Sequence, residues 1–227
     1  NKIIYILGGS GLIGSKVLNN ILPLGPNVVV LDIKRNNLNQ KVKFEKFDCS
    51  NLNKLQNRFK KIIKKFGCPH IFINCSYPIA KDWSSGSFKK ITLKIMKKNV
   101  DVHLHSYSWL SKLVADEMVK KNIKGSIINM NSIYGLLGQD LNIYKKTTIK
   151  ENMPYSLIKG GMVNLVRQMA SYYGRYGIRI NNVCAGGLKG HQAGKSTPQE
   201  KSFIKNYSEK TPLKRLGEPE EVANVII

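Results

Sequence analysis

The chain has 227 residues, of which 42% are hydrophobic, and it carries a formal net charge of +23 at pH 7. This length predicts one domain with a large buried core, and the hydrophobic share is ordinary for a globular protein rather than a disordered or fibrous one. Because no apolar run reaches the length of a membrane span and no leader-like segment opens the chain, we expect a cytoplasmic protein without a membrane partner.

The positive charge is spread along the whole chain. Lysine pairs such as Lys60-Lys61 and Lys120-Lys121 recur at helical spacing beside apolar residues, which is typical of solvated helix faces. A nucleic acid or an anionic small molecule would also suit such a charge. Because no helix-turn-helix or RNA-binding pattern accompanies the lysines, we favour compositional bias with an anionic small-molecule substrate, and no nucleic acid.

The cysteines give no sign of a metal site. All four stand alone without a C-x-x-C pair: Cys49, Cys68, Cys75 and Cys184. We therefore expect no metal and no disulfide framework, and we interpret most of these residues as small buried apolar side chains.

The first predicted strand, residues 2–7, leads into a glycine-rich turn that reads G-G-S-G-L-I-G. Apolar residues at helical spacing follow in residues 15–22. A strand, a glycine turn and a helix form a dinucleotide-binding fingerprint, in which the backbone approaches a pyrophosphate and the helix N-terminus offers N–H groups. We expect the cofactor to lie on the whole turn: Gly8, Ser10, Gly11, Leu12, Ile13 and Gly14.

An acidic residue follows the second predicted strand, residues 28–31. Asp32 stands where a carboxylate can bind the 2′-hydroxyl of a ribose and would repel a 2′-phosphate. We therefore favour NAD over NADP as the cofactor. Lys34 and Arg35 lie close by and keep NADP open.

Further strands alternate with helical patterns, which predicts a doubly wound parallel α/β sheet (Rossmann fold) in three α/β/α layers. The strands are residues 42–47, 70–74, 125–131 and 178–183, and the helical patterns cover 52–66 and 91–121. Ligands of such sheets sit beyond the carboxyl ends of the strands. Asn74, Cys75, Ser76 and Tyr77 should therefore border the cofactor, and Ser132 follows the fifth strand, as a helix cap or a site residue.

The strongest catalytic candidate is the segment M-P-Y-S-L-I-K-G-G-M-V, residues 153–163. Pro154 suits the first turn of a helix, and a helix that begins there places Tyr155 and Lys159 on one face. An ammonium beside a phenol stabilises phenolate, so it lowers the tyrosine pKa toward the value that acid/base catalysis requires. Tyr77 and Lys81 have the same spacing, but they follow a strand and enclose a proline, which argues against a shared helix face.

The order of these motifs closely resembles that of the short-chain dehydrogenase/reductases, over essentially the whole chain. The shared motifs are the glycine turn, Asp32, Asp48, N-C-S at 74–76, Asn99, Ser132, the Tyr155/Lys159 pair, R-I-N-N-V-C-A-G-G at 179–187 and R-L-G-E-P-E-E-V-A at 215–223. The resemblance implies a single NAD(P)-binding Rossmann domain over 1–227, lacking a last strand and C-terminal segment. It also implies hydride transfer between a nicotinamide and a carbinol or carbonyl carbon, and a homodimer or homotetramer.

The resemblance implies a role for each matching residue. Tyr155 would exchange a proton with the substrate oxygen, and Lys159 would bind the nicotinamide ribose and lower the tyrosine pKa. Ser132 would hydrogen-bond the substrate oxygen, and Asn99 would hold a water in the proton relay. The other matching positions would border the cofactor: Asp48 at the adenine, Cys49, Asn74, Cys75, Ser76, Gly186, Gly187 and Leu188.

Several departures from the family pattern bear on the substrate. Leu12 stands where the smaller branch of the family usually has glycine, and the spacing of Gly8, Gly11 and Gly14 is more like the extended branch, which works on nucleotide-sugars. The later motifs belong to the smaller branch, which we follow. A longer loop before Tyr155, residues 135–152, is expected to form a substrate flap.

Together these departures loosely resemble bacterial oxidoreductases of surface-polysaccharide and flagellin glycan modification. We therefore expect a sugar-derived substrate, and the basic charge also suits an acidic or phosphorylated sugar. Two alternatives stay open: an epimerase or dehydratase that holds NAD tightly and recycles it, and a non-catalytic dinucleotide-binding protein.

Overall fold

The structure is a computed structural model that describes residues 2–36, 38, 42–191 and 197–227. Its strands are β1 (Ile3–Leu7), β2 (Asn27–Asp32), β3 (Lys43–Lys46), β4 (Ile71–Asn74), β5 (Ser126–Ser132) and β6 (Arg179–Ala185). They form one parallel sheet in the order β3-β2-β1-β4-β5-β6. The predicted doubly wound fold is confirmed, with small shifts at the strand ends.

Seven α-helices are found in the described ranges. They are α1 (Leu12–Ile21), α2 (Leu52–Phe66), α3 (Leu93–Asn99), α4 (Ser106–Lys120), α5 (Met153–Gly174), α6 (Lys201–Lys210) and α7 (Pro219–Ile226). A π-helical segment, Val100–His105, joins α3 to α4. The sequence did not predict α6, in which Tyr207 is the one buried residue and most side chains are polar.

The sheet is covered on both faces. Side chains of β1 and β2 alternate between two cores, so that Tyr5 and Leu7 pack with α2, α4 and α5. Ile4 and Ile6 pack with α1 and α7 on the opposite face. This alternation follows from the two-residue period of a strand and explains why the strands read as continuous apolar runs.

The strand order reverses between β1 and β4, and this position fixes where a ligand can lie. Leu7 pairs with Asn74 across the two strands, and the carboxyl ends of all six strands meet at the same edge of the sheet. In open α/β sheets the ligand crevice lies at such a switch point. The residues predicted for the site therefore come from several distant parts of the chain to one edge.

In the part of the chain that the structure describes, no helix is both long and apolar enough to cross a bilayer.

Candidate active site

The glycine turn after β1 leaves no room for side chains. Gly8 has φ +76°, and a Cβ added to it would lie 2.7 Å from the Ser76 Cα. A Cβ on Gly14 would lie 2.2 Å from the carbonyl oxygen of Gly8. Leu12 begins α1, and its side chain reaches the backbone after β6, where a Cβ on Gly190 would be 2.8 Å from it. The turn is thus held tightly between α1 and the segment after β4.

Asp32 lies beside this turn, as predicted. One carboxylate oxygen accepts a 2.9 Å hydrogen bond from the Ser10 N–H, and the other accepts one from Ile33. The Ser10 hydroxyl is buried without a hydrogen-bond partner among the described residues. Buried hydroxyl groups are nearly always hydrogen-bonded, so this one is available to a ligand.

Asp48 and Cys49 follow β3 at the same edge. The Asp48 carboxylate accepts hydrogen bonds from the Ser50 N–H (2.9 Å) and hydroxyl (2.6 Å). Cys49 is buried, with its sulfur 3.8 Å from the Ser76 hydroxyl. Burial raises the pKa of the Cys49 thiol to about 11, so this residue is a packing residue rather than a nucleophile.

The N-C-S segment after β4 is shaped by Asn74. This side chain is fully buried, and its oxygen accepts hydrogen bonds from the Ser76 N–H (3.2 Å) and hydroxyl (2.7 Å). Its nitrogen donates to Asn129 of β5 at 3.4 Å. Burial raises the pKa of Cys75 to about 12. Asn74 therefore fixes the loop that packs against Gly8.

Asn99, the last residue of α3, is also fully buried. Its side-chain nitrogen donates to the Ile95 carbonyl (2.9 Å) and to Asp82 (3.3 Å), and its oxygen accepts from the Ala80 N–H (3.4 Å). In the described part of the chain it makes no hydrogen bond to Ser132, Tyr155 or Lys159. The side chain thus ties the helix to residues 80–82.

Tyr155 and Lys159 occupy one face of α5, as predicted. The helix begins at Met153, with Pro154 in its first turn and the Asn152 side chain accepting the Tyr155 N–H at 2.9 Å. The Lys159 side chain is 3% exposed, and its ammonium nitrogen lies 5.8 Å from the centroid of the Tyr155 ring. The same nitrogen donates to the Met130 carbonyl at 3.1 Å.

Ser132 completes the group. Its hydroxyl accepts the Tyr134 N–H at 3.2 Å and lies near the Tyr155 phenol, whose pKa it lowers. The two interpretations of this serine, a cap and a site residue, are therefore compatible. A half-buried phenol, a hydroxyl and a buried amine from β5 and α5 meet at the carboxyl edge of the sheet.

An aromatic wall that sequence reasoning missed surrounds Tyr155. The rings of Tyr77, Trp83 and Tyr134 have centroids 6.3, 6.1 and 6.4 Å from the Tyr155 ring. The sequence predicts that Tyr77 borders the cofactor, and the structure packs its ring against that of Tyr155. Lys81, its partner in the competing pair, is exposed. The sequence gives one sign of this wall, which is that two of its aromatic residues, Tyr77 and Trp83, follow soon after N-C-S at 74–76.

The predicted flap, residues 135–152, is anchored on α6. The Asn206 side chain donates to the carbonyls of Ile143 (3.3 Å) and Lys145 (2.8 Å), and the Tyr144 ring lies 6.4 Å from that of Phe203. Beside the flap, a cleft of about 910 Å³ is lined by Tyr134, the β6 end and Tyr207.

Gly186, Gly187 and Leu188 form the wall of this cleft that continues from β6. A Cβ on Gly187 would lie 2.7 Å from the Tyr207 ring, and the Leu188 carbonyl accepts a 2.8 Å hydrogen bond from Gln199. This wall therefore lies between the site and α6.

Comparisons with known proteins agree with this geometry. A family model described as enoyl-(acyl carrier protein) reductase matches residues 13–227. The chain belongs to the short-chain dehydrogenase/reductase family. It is thus an oxidoreductase that acts on CH–OH groups with a nicotinamide dinucleotide.

Three relatives illustrate the match. Post-translational flagellin modification protein A of Campylobacter coli is 25% identical, over 100% of this chain and 90% of that protein. A short-chain dehydrogenase of Leptospira borgpetersenii with bound NAD+ superposes with a TM-score of 0.84 at 28% identity, covering 100% of this chain and 84% of that one. 4-Hydroxyisoleucine dehydrogenase complexed with NADH gives 0.80 at 26%, covering 100% and 88%.

The electrostatics of this dehydrogenase differ from our expectation in one respect. Burial raises the pKa of Tyr155 above its ordinary value, and the nearby Ser132 hydroxyl opposes that rise. Burial also lowers the pKa of Lys159 to about 7. The expected lowering of the tyrosine pKa by Lys159 is therefore not found here, because the amine is itself desolvated and donates to Met130.

Proposed function

We propose that this protein transfers a hydride between NAD and a CH–OH carbon of a sugar or sugar derivative, in the biosynthesis of a surface glycan. The observation that carries the proposal is the half-buried Tyr155 phenol, which lies beside the Ser132 hydroxyl and one helical turn from Lys159. Such a phenol can give a proton to, or take one from, an oxygen atom bound beside it.

The residues around the β1–α1 turn fit a dinucleotide. Gly8 and Gly14 exclude side chains, the buried Ser10 hydroxyl has no partner among the described residues, and the first turn of α1 has no acidic residue to repel a phosphate. A nicotinamide dinucleotide, when bound there, supplies or accepts the hydride.

The chain's own residues manage the proton. Tyr155 transfers it at its phenol oxygen, while the Ser132 hydroxyl orients the substrate oxygen beside that phenol. Lys159, when charged, stabilises the phenolate that forms as the proton leaves. Burial disfavours the charged form of each group when the other is neutral. In this site the ammonium of Lys159 and the phenolate of Tyr155 therefore stabilise each other.

The walls of the site suit a sugar. The rings of Tyr77, Trp83 and Tyr134 offer apolar faces, and the two tyrosines add hydroxyl groups. Aromatic rings combined with a few convergent polar groups are typical of small-molecule sites and match the C–H faces and hydroxyls of a sugar ring. The net charge of +23 favours sugars that carry a phosphate or carboxylate. The Campylobacter coli relative, named for flagellin modification, supports the glycan assignment.

NAD is the cofactor we propose, in preference to NADP. The Asp32 carboxylate lies at the end of β2, beside the Ser10 N–H. A carboxylate at this position suits a ribose hydroxyl and repels a 2′-phosphate. The Leptospira borgpetersenii relative was solved with bound NAD+.

A homodimer or homotetramer is also part of the proposal. Large apolar side chains are exposed on α4 and α5, among them Trp109 at 44% and Tyr172 at 49%. Exposed aromatic residues on two long helices favour an interface with a second copy. Light scattering of the purified protein would measure its mass directly.

A substrate panel tests the function. Sugars, sugar phosphates and nucleotide-sugars are incubated with NAD or NADP, and the reduced nicotinamide is followed by its absorbance. We expect a response to a sugar with NAD. Activity confined to simple alcohols or acyl thioesters would refute the glycan assignment and leave the family assignment intact. Protein-bound NAD that never turns over would instead indicate an epimerase or dehydratase.

A further inference from the structure

A buried histidine lies next to the proposed proton machinery and has no role in it so far. His103 is fully buried in the π-helical segment between α3 and α4, one turn beyond Asn99. Both of its ring nitrogens lack a hydrogen-bond partner among the described residues. Buried polar atoms are nearly always paired, so two such atoms on one side chain require an explanation.

His103 and Lys159 pack against the same two tyrosine rings. The imidazole centroid lies 4.9 Å from the Tyr107 ring and 5.2 Å from the Tyr77 ring. The Lys159 nitrogen lies 5.0 and 6.0 Å from the same two rings. Trp83 closes the group, with its ring 6.1 Å from the imidazole. We call these two tyrosines and Trp83 the aromatic cage.

Lys159 has hydrogen-bonding capacity to spare. An ammonium has three protons, and the only hydrogen bond from Lys159 among the described residues goes to Met130. The titratable groups around it are Tyr77, Tyr107 and Tyr155, Cys184 from β6, and His103. None of these groups is a carboxylate. A hydrogen bond to a neutral acceptor is therefore the interaction that can stabilise the Lys159 ammonium.

The state of the imidazole suits that task. Burial, followed by the charge of Lys159, holds the pKa of His103 well below its usual range, so the ring is neutral near pH 7. A neutral imidazole has one N–H and one free acceptor nitrogen. π-Helical turns occur mostly as single turns at functional sites, and this one carries His103 into the cage.

We propose that His103 is a positioning residue whose neutral ring accepts a hydrogen bond from Lys159 through one bridging water, keeping the amine charged and directed at Tyr155. The inference rests on the role of Lys159 given under the proposed function. It assigns to His103 no contact with substrate or cofactor. Its effect reaches the reaction only through the amine.

The first test needs neither substrate nor cofactor. The chain has four histidines, so a protein labelled with ¹⁵N-histidine gives few signals, and His103→Gln identifies the one of interest. We expect a neutral ring that stays in one tautomer while Lys159 titrates near pH 7, and a change in the chemical shift of its acceptor nitrogen across that titration. The inflection should vanish in Lys159→Met. A ring that averages two tautomers, or that shows the same profile in Lys159→Met, would overturn the proposal.

The second test compares three variants in the holoenzyme. His103→Phe keeps an aromatic ring without an acceptor, His103→Gln keeps an acceptor, and His105→Gln changes an exposed residue two positions along the same segment. With a responding substrate we expect His103→Phe to lower kcat by about tenfold, the effect of one hydrogen bond to a charged group. NADH affinity and KM should stay within about twofold, because the residue touches neither ligand.

The pH profile and the rescue separate positioning from packing. In His103→Phe the loss of rate at high pH should begin about one unit lower, because the amine deprotonates earlier. His103→Gln should recover most of the rate, and His105→Gln should match the wild type. A wild-type profile in His103→Phe would make His103 a packing residue only. If no substrate responds, the labelling experiment still decides the point, so failure of the proposed function is told apart from failure of this inference.

Discussion

Replacement of Asn152 by alanine tests how the structure places Tyr155, the proposed acid/base. The Asn152 side chain accepts the Tyr155 N–H at 2.9 Å and donates to the Trp83 carbonyl at 2.9 Å. It therefore caps α5 and ties it to the aromatic wall. Loss of the cap costs about 1 kcal/mol of unfolding free energy, and loss of the second hydrogen bond about 1 kcal/mol more. A total of about 2 kcal/mol corresponds to a decrease in Tm of about 4–8 °C for a domain of this size.

The catalytic effect should exceed the loss of stability. Both lost contacts hold Tyr155 in place, and a displacement of the reacting group by about 1 Å can lower the rate by about a hundredfold. We expect Asn152→Ala to lower kcat by about ten- to a hundredfold with NADH binding retained. Urea unfolding gives the stability, and nicotinamide absorbance gives the rate.

Two matched variants control this experiment. Asn152→Ser keeps a capping oxygen and removes the donor to Trp83 without placing a carboxylate oxygen against that carbonyl, so it should cost about half as much stability. Asn51→Ala removes the cap of α2, which accepts the Lys54 N–H far from the site, and should cost about 1 kcal/mol with kcat unchanged. If Asn152→Ala costs no more than Asn51→Ala and keeps wild-type activity, the link between cap, aromatic wall and catalysis is wrong.

Three further changes test other parts of the site. Gly14→Ala should abolish NADH fluorescence enhancement, because its Cβ would lie 2.2 Å from the Gly8 carbonyl, whereas Gly138→Ala, with no atom within 4 Å, should bind normally. Burial lowers the pKa of Lys159 from 10.5 to about 7. Between pH 7 and 10.5 the unfolded chain therefore binds one proton more at this residue than the folded chain does. Wild-type stability relative to Lys159→Met should therefore rise by about 2 kcal/mol from pH 7 to 9, and a pH-independent difference in urea unfolding would contradict this. Asp32→Asn should raise the ratio of kcat/KM with NADP to kcat/KM with NAD by about tenfold, since it removes the negative charge that repels the 2′-phosphate of NADP. An unchanged ratio would show that Asp32 has no part in cofactor choice.

Much of the fold could be predicted because its signals are local. The strands are short apolar runs, and α2 begins and ends where its amphipathic pattern does, at Leu52 and Phe66. The start of α5 was readable from Pro154, and the spacing of Tyr155 and Lys159 then followed from helix geometry. These features depend on neighbours in sequence.

The parts that could not be predicted depend on contacts between distant segments. Trp83 reaches Tyr155 because residues 80–86 are held by Asn99 and Asn152, which no local pattern encodes. Nothing in the stretch N-V-D-V-H-L indicates that His103 is buried near Lys159. The pKa of Tyr155 was expected to fall because the ammonium was considered without its burial, and desolvation reverses the direction.

The most direct test of the central claim is the rate of NAD reduction by Tyr155→Phe with a responding substrate, beside Tyr172→Phe at an exposed position of the same helix. Removal of the acid/base phenol should lower kcat by about 10²- to 10⁴-fold. NADH affinity and the unfolding midpoint should stay close to the wild type, and Tyr172→Phe should be fully active. Wild-type turnover by Tyr155→Phe would contradict the assignment of this residue and the mechanism built on it.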